Sequence, residues 1–226
     1  MKLRKIIIIN VILSLIIPIL FFILFHEVSL NLAINLEKNS SIQRYFFFMF
    51  LIVISIGINF YLLHIKIKKP AYDELLKDQY FRKGRLIFKL SHHNKKLLHH
   101  ELKIGNRYIC TGCFGVSIGL IFGEILGLFY IFNFNLVLYS FGITLISIGF
   151  IMNAISFLKY IKPIFGLIRL LNNACLPAGI WLIIIGIDIY FKSILAIYYC
   201  LVIIPFLIFQ RIYLAKLDHR EELENL

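Results

Sequence analysis

Long apolar runs, interrupted by short polar segments, set the pattern of the chain. Each run holds about twenty residues, and a helix of that length crosses the hydrocarbon core of a bilayer. The pattern therefore predicts an all-α polytopic membrane protein with about six transmembrane helices. The predicted spans are 6–25, 45–65, 114–132, 136–158, 174–191 and 194–214.

The polar segments divide the chain into four parts. Residues 1–65 hold the first two predicted spans, and residues 66–113 form the longest polar stretch. Residues 114–214 are predicted to be a bundle of four transmembrane helices, with a basic linker at 159–173, and residues 215–226 a charged tail. The first run is longer than the apolar core of a signal peptide, and no small-residue cleavage site follows it, so we expect a retained membrane helix.

Composition agrees with this pattern, since 60% of the 226 residues are hydrophobic. The formal net charge of +12 would, by itself, suggest a nucleic-acid partner. However, all but three of the 24 lysines and arginines fall on one side of the predicted topology, the exceptions being Lys38, Arg44 and Lys192. The positive-inside rule makes that side the cytoplasm. We therefore predict a cell-membrane protein with cytoplasmic N- and C-termini, no nucleic-acid partner, and anionic lipid headgroups against its basic inner face.

The polar stretch 66–113 is predicted to contain two elements. Residues 70–90 carry a proline near the start, acidic residues next and basic residues later, a pattern typical of a helix. Its mixed apolar and basic side chains favour the cytoplasmic membrane surface, although a solvated helix packed on the bundle fits equally well. Further on, Gly105-Asn106 is a two-residue turn, which predicts a short β-hairpin or knuckle before the third span with Glu101 opposite Cys110.

The same stretch holds residues suited to metal binding. Cys110 and Cys113 form a Cys-x-x-Cys pair, which can place two thiolates on one ion from a single tight turn. Nitrogen ligands are available nearby from His92, His93, His99 and His100. The combination predicts a cytoplasmic zinc-like site, structural with four protein ligands and catalytic with three. Two alternatives remain open: thiol redox chemistry, which a reducing cytoplasm disfavours, and packing alone.

Two carboxylates fall inside predicted spans. Glu124 lies in the middle of the third span, and Asp188 lies near the outer end of the fifth, where we expect it to reach the interface. Ionisable residues inside a membrane commonly face a bundle interior or a wet cavity, so Glu124 is a candidate catalytic residue. The residues leave open whether the protein is an enzyme acting on a membrane lipid or phosphate. The alternative is a small transporter or lipid-handling protein that uses Glu124.

Small residues recur at every fourth position of the third span. The residues are Gly115, Gly119, Gly123 and Gly127, which share one side of a helix. Such a ridge lets a neighbouring helix approach closely. We expect this side of the span to be a packing face.

One set of residues has the spacing of a known motif: Ser91-His92, Cys110, Cys113, Gly115 and Gly119. It resembles a family of small, functionally uncharacterised integral-membrane proteins of prokaryotes. In that family a Cys-His pair precedes Cys-x-Arg-Cys-x-Gly-x-x-x-Gly, which opens a membrane helix. The resemblance implies a membrane protein with a site on its inner face, and it implies no particular reaction.

Three positions depart from the family pattern. Ser91 stands where the family has a cysteine, Gly112 where it has an arginine, and Asn153 where it has an aspartate. These departures shift the expected ligand set of this chain from cysteine towards histidine.

Overall fold

The computed structural model describes residues 2–32, 41–67, 101–104, 107–133, 139–161, 164, 166–191 and 194–224. This part of the chain is almost entirely helical, and a single turn of 3-10 helix, Leu158–Tyr160, extends the fourth helix. The helices are α1 (Lys2–Leu32), α2 (Ser41–Ile67), α3 (Thr111–Phe132), α4 (Tyr139–Phe157), α5 (Gly166–Phe191) and α6 (Ile194–Glu224).

The helices match the predicted fold class at the level of helix number and character. Five of them are long and apolar enough to cross a membrane, and the apolar part of α6, Tyr199–Ala215, is shorter. The prediction of a helical chain with about six apolar helices is therefore confirmed within the described residues.

The centre of the bundle is α5. In the apolar segment of α5, 78% is buried inside the protein, whereas 22% is buried in the apolar segments of α1 and of α2. Every residue from Leu176 to Ile189 is buried, which is typical of a helix that is apolar on all sides. It packs mainly against α3 and α4, while α2 packs on α3 and α1 packs on α6.

The glycine ridge predicted on the third span is confirmed. Its four members are buried on α3: Gly115, Gly119, Gly123 and Gly127. A Cβ added at Gly119 would lie 2.2 Å from the backbone oxygen of Ala174, and one at Gly123 would lie 1.9 Å from Cδ1 of Trp181. The α5 helix therefore packs so closely against the ridge that a side chain in place of these glycines would clash with it.

Glycines also set the contact between α4 and α5, where they occur on both helices. A Cβ on Gly142 would lie 2.9 Å from the backbone oxygen of Gly186, and a Cβ on Gly186 would lie 2.7 Å from that of Gly142. Gly149 and Gly179 repeat this reciprocal arrangement at 2.7 and 2.8 Å. The two helices thus touch backbone to backbone, as small residues permit in membrane bundles.

One predicted boundary is wrong, at the start of the fifth span. α5 begins at Gly166 rather than at Ala174, so most of the predicted basic linker 159–173 is helical. The last helix, α6, continues past its apolar part to Glu224, so the segment predicted as a charged tail, 215–226, is helical over its described residues. Hydropathy ends a span at the first polar residues, whereas arginine, lysine and glutamate have good helix propensity and continue the backbone ladder. Gly166 has a φ of 57°, which glycine adopts without steric cost, and so permits the abrupt start of α5.

Two short strands precede α3. β1 (Glu101–Ile104) pairs antiparallel with β2 (Arg107–Cys110), and Glu101 is opposite Cys110. Residues 105–106, which would join them, lie outside the described residues, so the hairpin or knuckle stays a prediction. The predicted surface helix 70–90 also lies outside them. β2 leads directly into α3 and β1 lies near α5, which places the strands at one end of the bundle.

Candidate functional site

Polar side chains gather at both ends of the central helix α5. At one end the start of α5 meets the start of α3 and the end of α4, and we call this the cysteine end. At the other, the end of α5 meets the start of α2 and the end of α3, and we call this the Arg44 end. A third polar group, around Glu124, lies between α2 and α3.

The cysteine pair lies where β2 becomes α3. Cys110 is the N-cap residue of α3, and Cys113 lies in its first turn. Both are buried, and neither forms a disulfide. The Cys110 side chain makes no capping hydrogen bond. Side chains at the N-cap and three residues later lie together at a helix start, as in a capping box. The structure therefore places both predicted thiol ligands at the start of α3, one at the N-cap and one three residues later.

The remaining predicted metal ligands lie outside the described residues. These are His92, His93, His99 and His100. Among the residues that are described, no group of three or more histidine, cysteine, aspartate or glutamate side chains is close enough to hold a metal ion. The two cysteines are thus the part of the predicted ligand set that the structure positions.

Asn173 connects the cysteine pair to nearby cations. Its Nδ2 donates to the backbone oxygen of Thr111, the residue after Cys110, at 3.3 Å. Its Oδ1 accepts from Lys159 Nζ at 2.8 Å and from Arg211 Nη2 at 2.5 Å. Asn173 is only 1% exposed. One buried amide therefore joins α3, α4, α5 and α6.

The aromatic ring of Tyr160 contacts both cations. Its ring centroid lies 4.8 Å from Lys159 Nζ and 4.9 Å from Arg211 Cζ, within the range of cation–π contacts. Its hydroxyl donates to the backbone oxygen of Arg211 at 3.4 Å, and Arg211 Nη1 donates to that of Ser156 at 2.9 Å. Lys159, Tyr160, Asn173 and Arg211 are called the cation cluster below.

Two further side chains of α5 are buried at the cysteine end. Arg169 is 6% exposed, and Asn172 is 4% exposed. The Asn172 amide donates to the backbone oxygen of Ile155, which ties the start of α5 to the end of α4. On α1, Arg4 donates to the backbone oxygen of Ile161 at 3.4 Å. Basic side chains from several helices therefore lie at the cysteine end of the bundle.

Glu124 lies away from that end. It is eleven residues beyond Cys113 on the same helix, a rise of about 16 Å. Its Oε1 accepts from Ser55 Oγ at 2.8 Å and from Asn59 Nδ2 at 2.9 Å, and both donors are on α2. The Asn59 Oδ1 is buried without a partner among the described residues. The structure therefore gives Glu124 its own polar group and does not bring it together with the cysteines.

The Arg44 end holds a buried ion pair that the sequence did not predict. Arg44 Nε donates to both carboxylate oxygens of Asp188, at 3.2 and 2.9 Å, and its Nη2 donates to Oδ2 at 2.6 Å. The Tyr130 hydroxyl donates to the same Oδ2 at 2.6 Å and accepts from Arg44 Nη2 at 2.8 Å. Asp188 is 3% exposed, so the expectation that it reaches the interface is wrong.

No family model matches the chain, and comparison with curated proteins and with solved structures found no match. The sequence carried a signal for the cysteine pair in its spacing, but it carried no signal for the cation cluster. Lys159 and Asn173 both fall in the segment that hydropathy assigned to a linker.

Proposed function

We propose that the chain is a multi-pass protein of the cell membrane with a zinc-like site on its cytoplasmic face, built on Cys110 and Cys113. The observation that carries the proposal is the placement of two buried thiols three residues apart, at the N-cap and in the first turn of α3. One or two of the four predicted histidines complete the ligand set.

The distribution of apolar surface supports insertion in a membrane. Five helices have the length and hydropathy of membrane spans. Large apolar side chains are exposed along them, including Phe60 at 71%, Phe129 at 66% and Phe132 at 80%. Soluble monomers rarely expose contiguous apolar surface of this extent, whereas lipid tails cover it readily.

The orientation follows from the positive-inside rule, which puts the cysteine end and both termini in the cytoplasm. A reporter fused after Leu226 is expected to show a cytoplasmic location. A reporter inserted at Ser40 is expected to show the outside. The reverse result at both positions would place the cysteine end outside the cell and would favour redox chemistry instead.

The chemistry of the two thiols supports metal binding, with both sulfur atoms as ligands of the ion. Zinc binds thiolate sulfur and imidazole nitrogen in tetrahedral geometry. The positive end of the α3 dipole favours negatively charged sulfur in the first turn. A cytoplasmic location keeps the thiols reduced, so they stay available as ligands. The residues present therefore fit the ion.

Full-length protein purified without chelators is expected to hold about one zinc-like ion per chain. Cys110→Ser and Cys113→Ser should each remove it, because each substitution deletes a thiolate ligand. Cys175→Ser and Cys200→Ser are matched controls on α5 and α6 and should keep the ion. Elemental analysis of the purified variants is the measurement. Metal-free wild-type protein in which both paired thiols react with an alkylating reagent would sink the proposal.

The number of protein ligands decides what the metal would do. Four would make it a structural ion, and three would leave a position at which zinc activates water for hydrolysis. The hydrogen bond from Asn173 to the Thr111 carbonyl sets the cation cluster beside the cysteine pair. Cations bind phosphate oxygens. The position of the cation cluster beside the cysteine pair therefore favours a membrane lipid or another phosphate-bearing molecule as the substrate of a catalytic site.

A second candidate function is based on Glu124. The hydrogen bonds that Glu124 accepts from α2 favour this candidate. A carboxylate that accepts from Ser55 and Asn59 inside an apolar helix pair is an unusual and costly feature of a membrane bundle. Such a group suits a small transporter or a lipid-handling protein. The metal analysis separates the two candidates, because wild-type protein without metal would leave Glu124 as the group that carries function.

A further inference from the structure

The carboxyl group of Glu124 accepts its hydrogen bonds on one oxygen. Ser55 Oγ donates to Oε1 at 2.8 Å, and Asn59 Nδ2 donates to the same atom at 2.9 Å. Among the residues that the structure describes, none donates to Oε2. An ionised carboxylate has two equivalent acceptor oxygens, whereas a protonated carboxyl group has one O–H that donates. The one-sided pattern is typical of a carboxyl group whose Oε1 is the carbonyl oxygen.

Asn59 carries an acceptor that lacks a donor. The residue is 6% exposed, and its Oδ1 is buried without a hydrogen-bond partner in the described part of the chain. Such an atom is costly, because it has given up water without a replacement. Oδ1 belongs to the same planar amide group as Nδ2, which already contacts Glu124. The missing donor is therefore one that the carboxyl group of Glu124 can supply.

The surroundings of Glu124 hold no counter-ion. Glu124 is half-buried between α2 and α3, and the one cation described on these two helices, Arg44, is paired with Asp188. Arg44 also precedes Ser55 by eleven residues, a rise of about 16 Å. The other titratable side chains described on α2 and α3 are not cations: Tyr45, Tyr61, Cys113 and Tyr130. A carboxyl group in apolar surroundings without a cation commonly takes up a proton instead of remaining charged.

We propose that Glu124 and Asn59 form a proton-binding site, with the proton on Oε2 and donated to Asn59 Oδ1. Since Asn59 Nδ2 donates to Oε1, the acid and the amide close a ring of two hydrogen bonds. The proton gives Oδ1 its partner, and it requires no cavity. The proposal deepens the second candidate under Proposed function by naming a proton as the ligand of Glu124. It rests on the membrane insertion stated there and not on the metal.

The proton also links the site to the contact between two helices. Ser55 and Asn59 are the side chains through which α2 bonds to Glu124 on α3. Release of the proton to water leaves a charged carboxylate opposite the amide oxygen, and the two repel each other. Uptake of the proton therefore tightens the contact of α2 with α3, and its release loosens that contact. Such a link is what a proton-coupled transporter requires.

Infrared difference spectroscopy tests the proposal on the full-length protein in ester-free detergent and neutral buffer. The spectrum of wild type minus that of Glu124→Gln is expected to contain the C=O band of a protonated carboxyl group. This band should shift in deuterium oxide, because the O–H proton exchanges. Carboxylate bands in its place overturn the proposal. Metal content is measured on the same samples, so an ionised Glu124 in protein that holds metal would remove the proton site and leave the zinc-like site standing.

Asn59→Leu tests whether the amide holds the proton. The C=O band is expected to move to higher frequency or to give way to carboxylate bands, because Oε1 loses a donor and the O–H loses its acceptor. Asn10→Leu is the matched control on α1, where the amide donates to the backbone oxygen of Ile6, and it should leave the band in place. An unchanged band in Asn59→Leu, or an equal change in the control, would overturn the assignment to Asn59.

Thermal stability provides a measurement that is independent of the spectrum. In Glu124→Gln the new amide has the donor and the acceptor of a protonated carboxyl group, so it reproduces the ring without a proton. This variant is expected to melt at the temperature of wild type. Glu124→Leu should melt lower, because it leaves both polar atoms of Asn59 unpaired. A glutamine variant that melts well below wild type, or a leucine variant that melts with it, would overturn the proposal.

Discussion

Asp188→Asn is expected to lower the free energy of unfolding by about 3–5 kcal/mol, the cost of leaving a buried charge without its partner. The side chains of Arg44 and Asp188 are 13% and 5% exposed, so water replaces little of the lost interaction. Asparagine fits the same space but cannot neutralise the guanidinium. Arg44→Gln should cost a similar amount, because it leaves the carboxylate uncompensated.

A double-mutant cycle provides the control for this prediction. The protein carrying both Arg44→Gln and Asp188→Asn has no charge at this position and should be more stable than either single variant.

Tyr130→Phe removes one donor to Asp188 and keeps the ion pair, so we expect a smaller loss of about 1–2 kcal/mol. Unfolding in detergent can be followed by the fluorescence of Trp181, which is the single tryptophan and is buried in the core. Additive effects of the two single substitutions would show that the pair contributes no coupling energy.

The helices were predictable because their signal is local. A run of about twenty apolar residues identifies a span without any knowledge of its neighbours. The glycine ridge of α3 was predictable for the same reason, since a four-residue spacing places small residues on one face. The face that receives the ridge was not predictable, because Ala174 and Trp181 carry no mark in the sequence that pairs them with particular glycines.

The polar clusters were largely unpredictable because their members are distant in sequence. Arg44 and Asp188 are on α2 and α5, and only the packing of those helices around α3 brings them together. Taken alone, Asp188 near a span end is typical of an interfacial residue, and Arg44 is typical of a loop cation. Nothing in the local pattern distinguishes these roles from a buried pair.

The cation cluster was missed for a different reason. Hydropathy places Lys159 and Asn173 in a linker, where basic residues need no partner. The α5 helix instead begins at Gly166, which carries Asn173 into the bundle and beneath two cations. By contrast, the cysteine pair needed only its spacing and the start of an apolar run. The cysteine pair is therefore predictable because its residues are close in sequence. The cation cluster is not predictable, because helix packing brings its residues together.

Gly119→Ala is expected to destabilise the protein by about 3 kcal/mol, which is the upper part of the usual range for overpacking a core. The new Cβ would lie 2.2 Å from the backbone oxygen of Ala174 and 2.5 Å from Cγ of Pro177. Both atoms belong to α5 and neither is the end of a flexible side chain. Relief therefore requires α3 and α5 to separate, which weakens one of the two main contacts of the central helix.

Gly57→Ala is the matched control on α2, where a Cβ meets nothing within 4 Å. The same substitution should there be neutral or stabilising by up to about 1 kcal/mol, because alanine has the higher helix propensity. The two proteins are compared through the free energy of unfolding in detergent, with Trp181 fluorescence as the probe. Since both variants add one methyl group to a helix, any difference reports the space around it. Equal stability of the two variants would contradict the close approach of α3 to α5 and, with it, the position of Asn173 against the Thr111 carbonyl at the cysteine end.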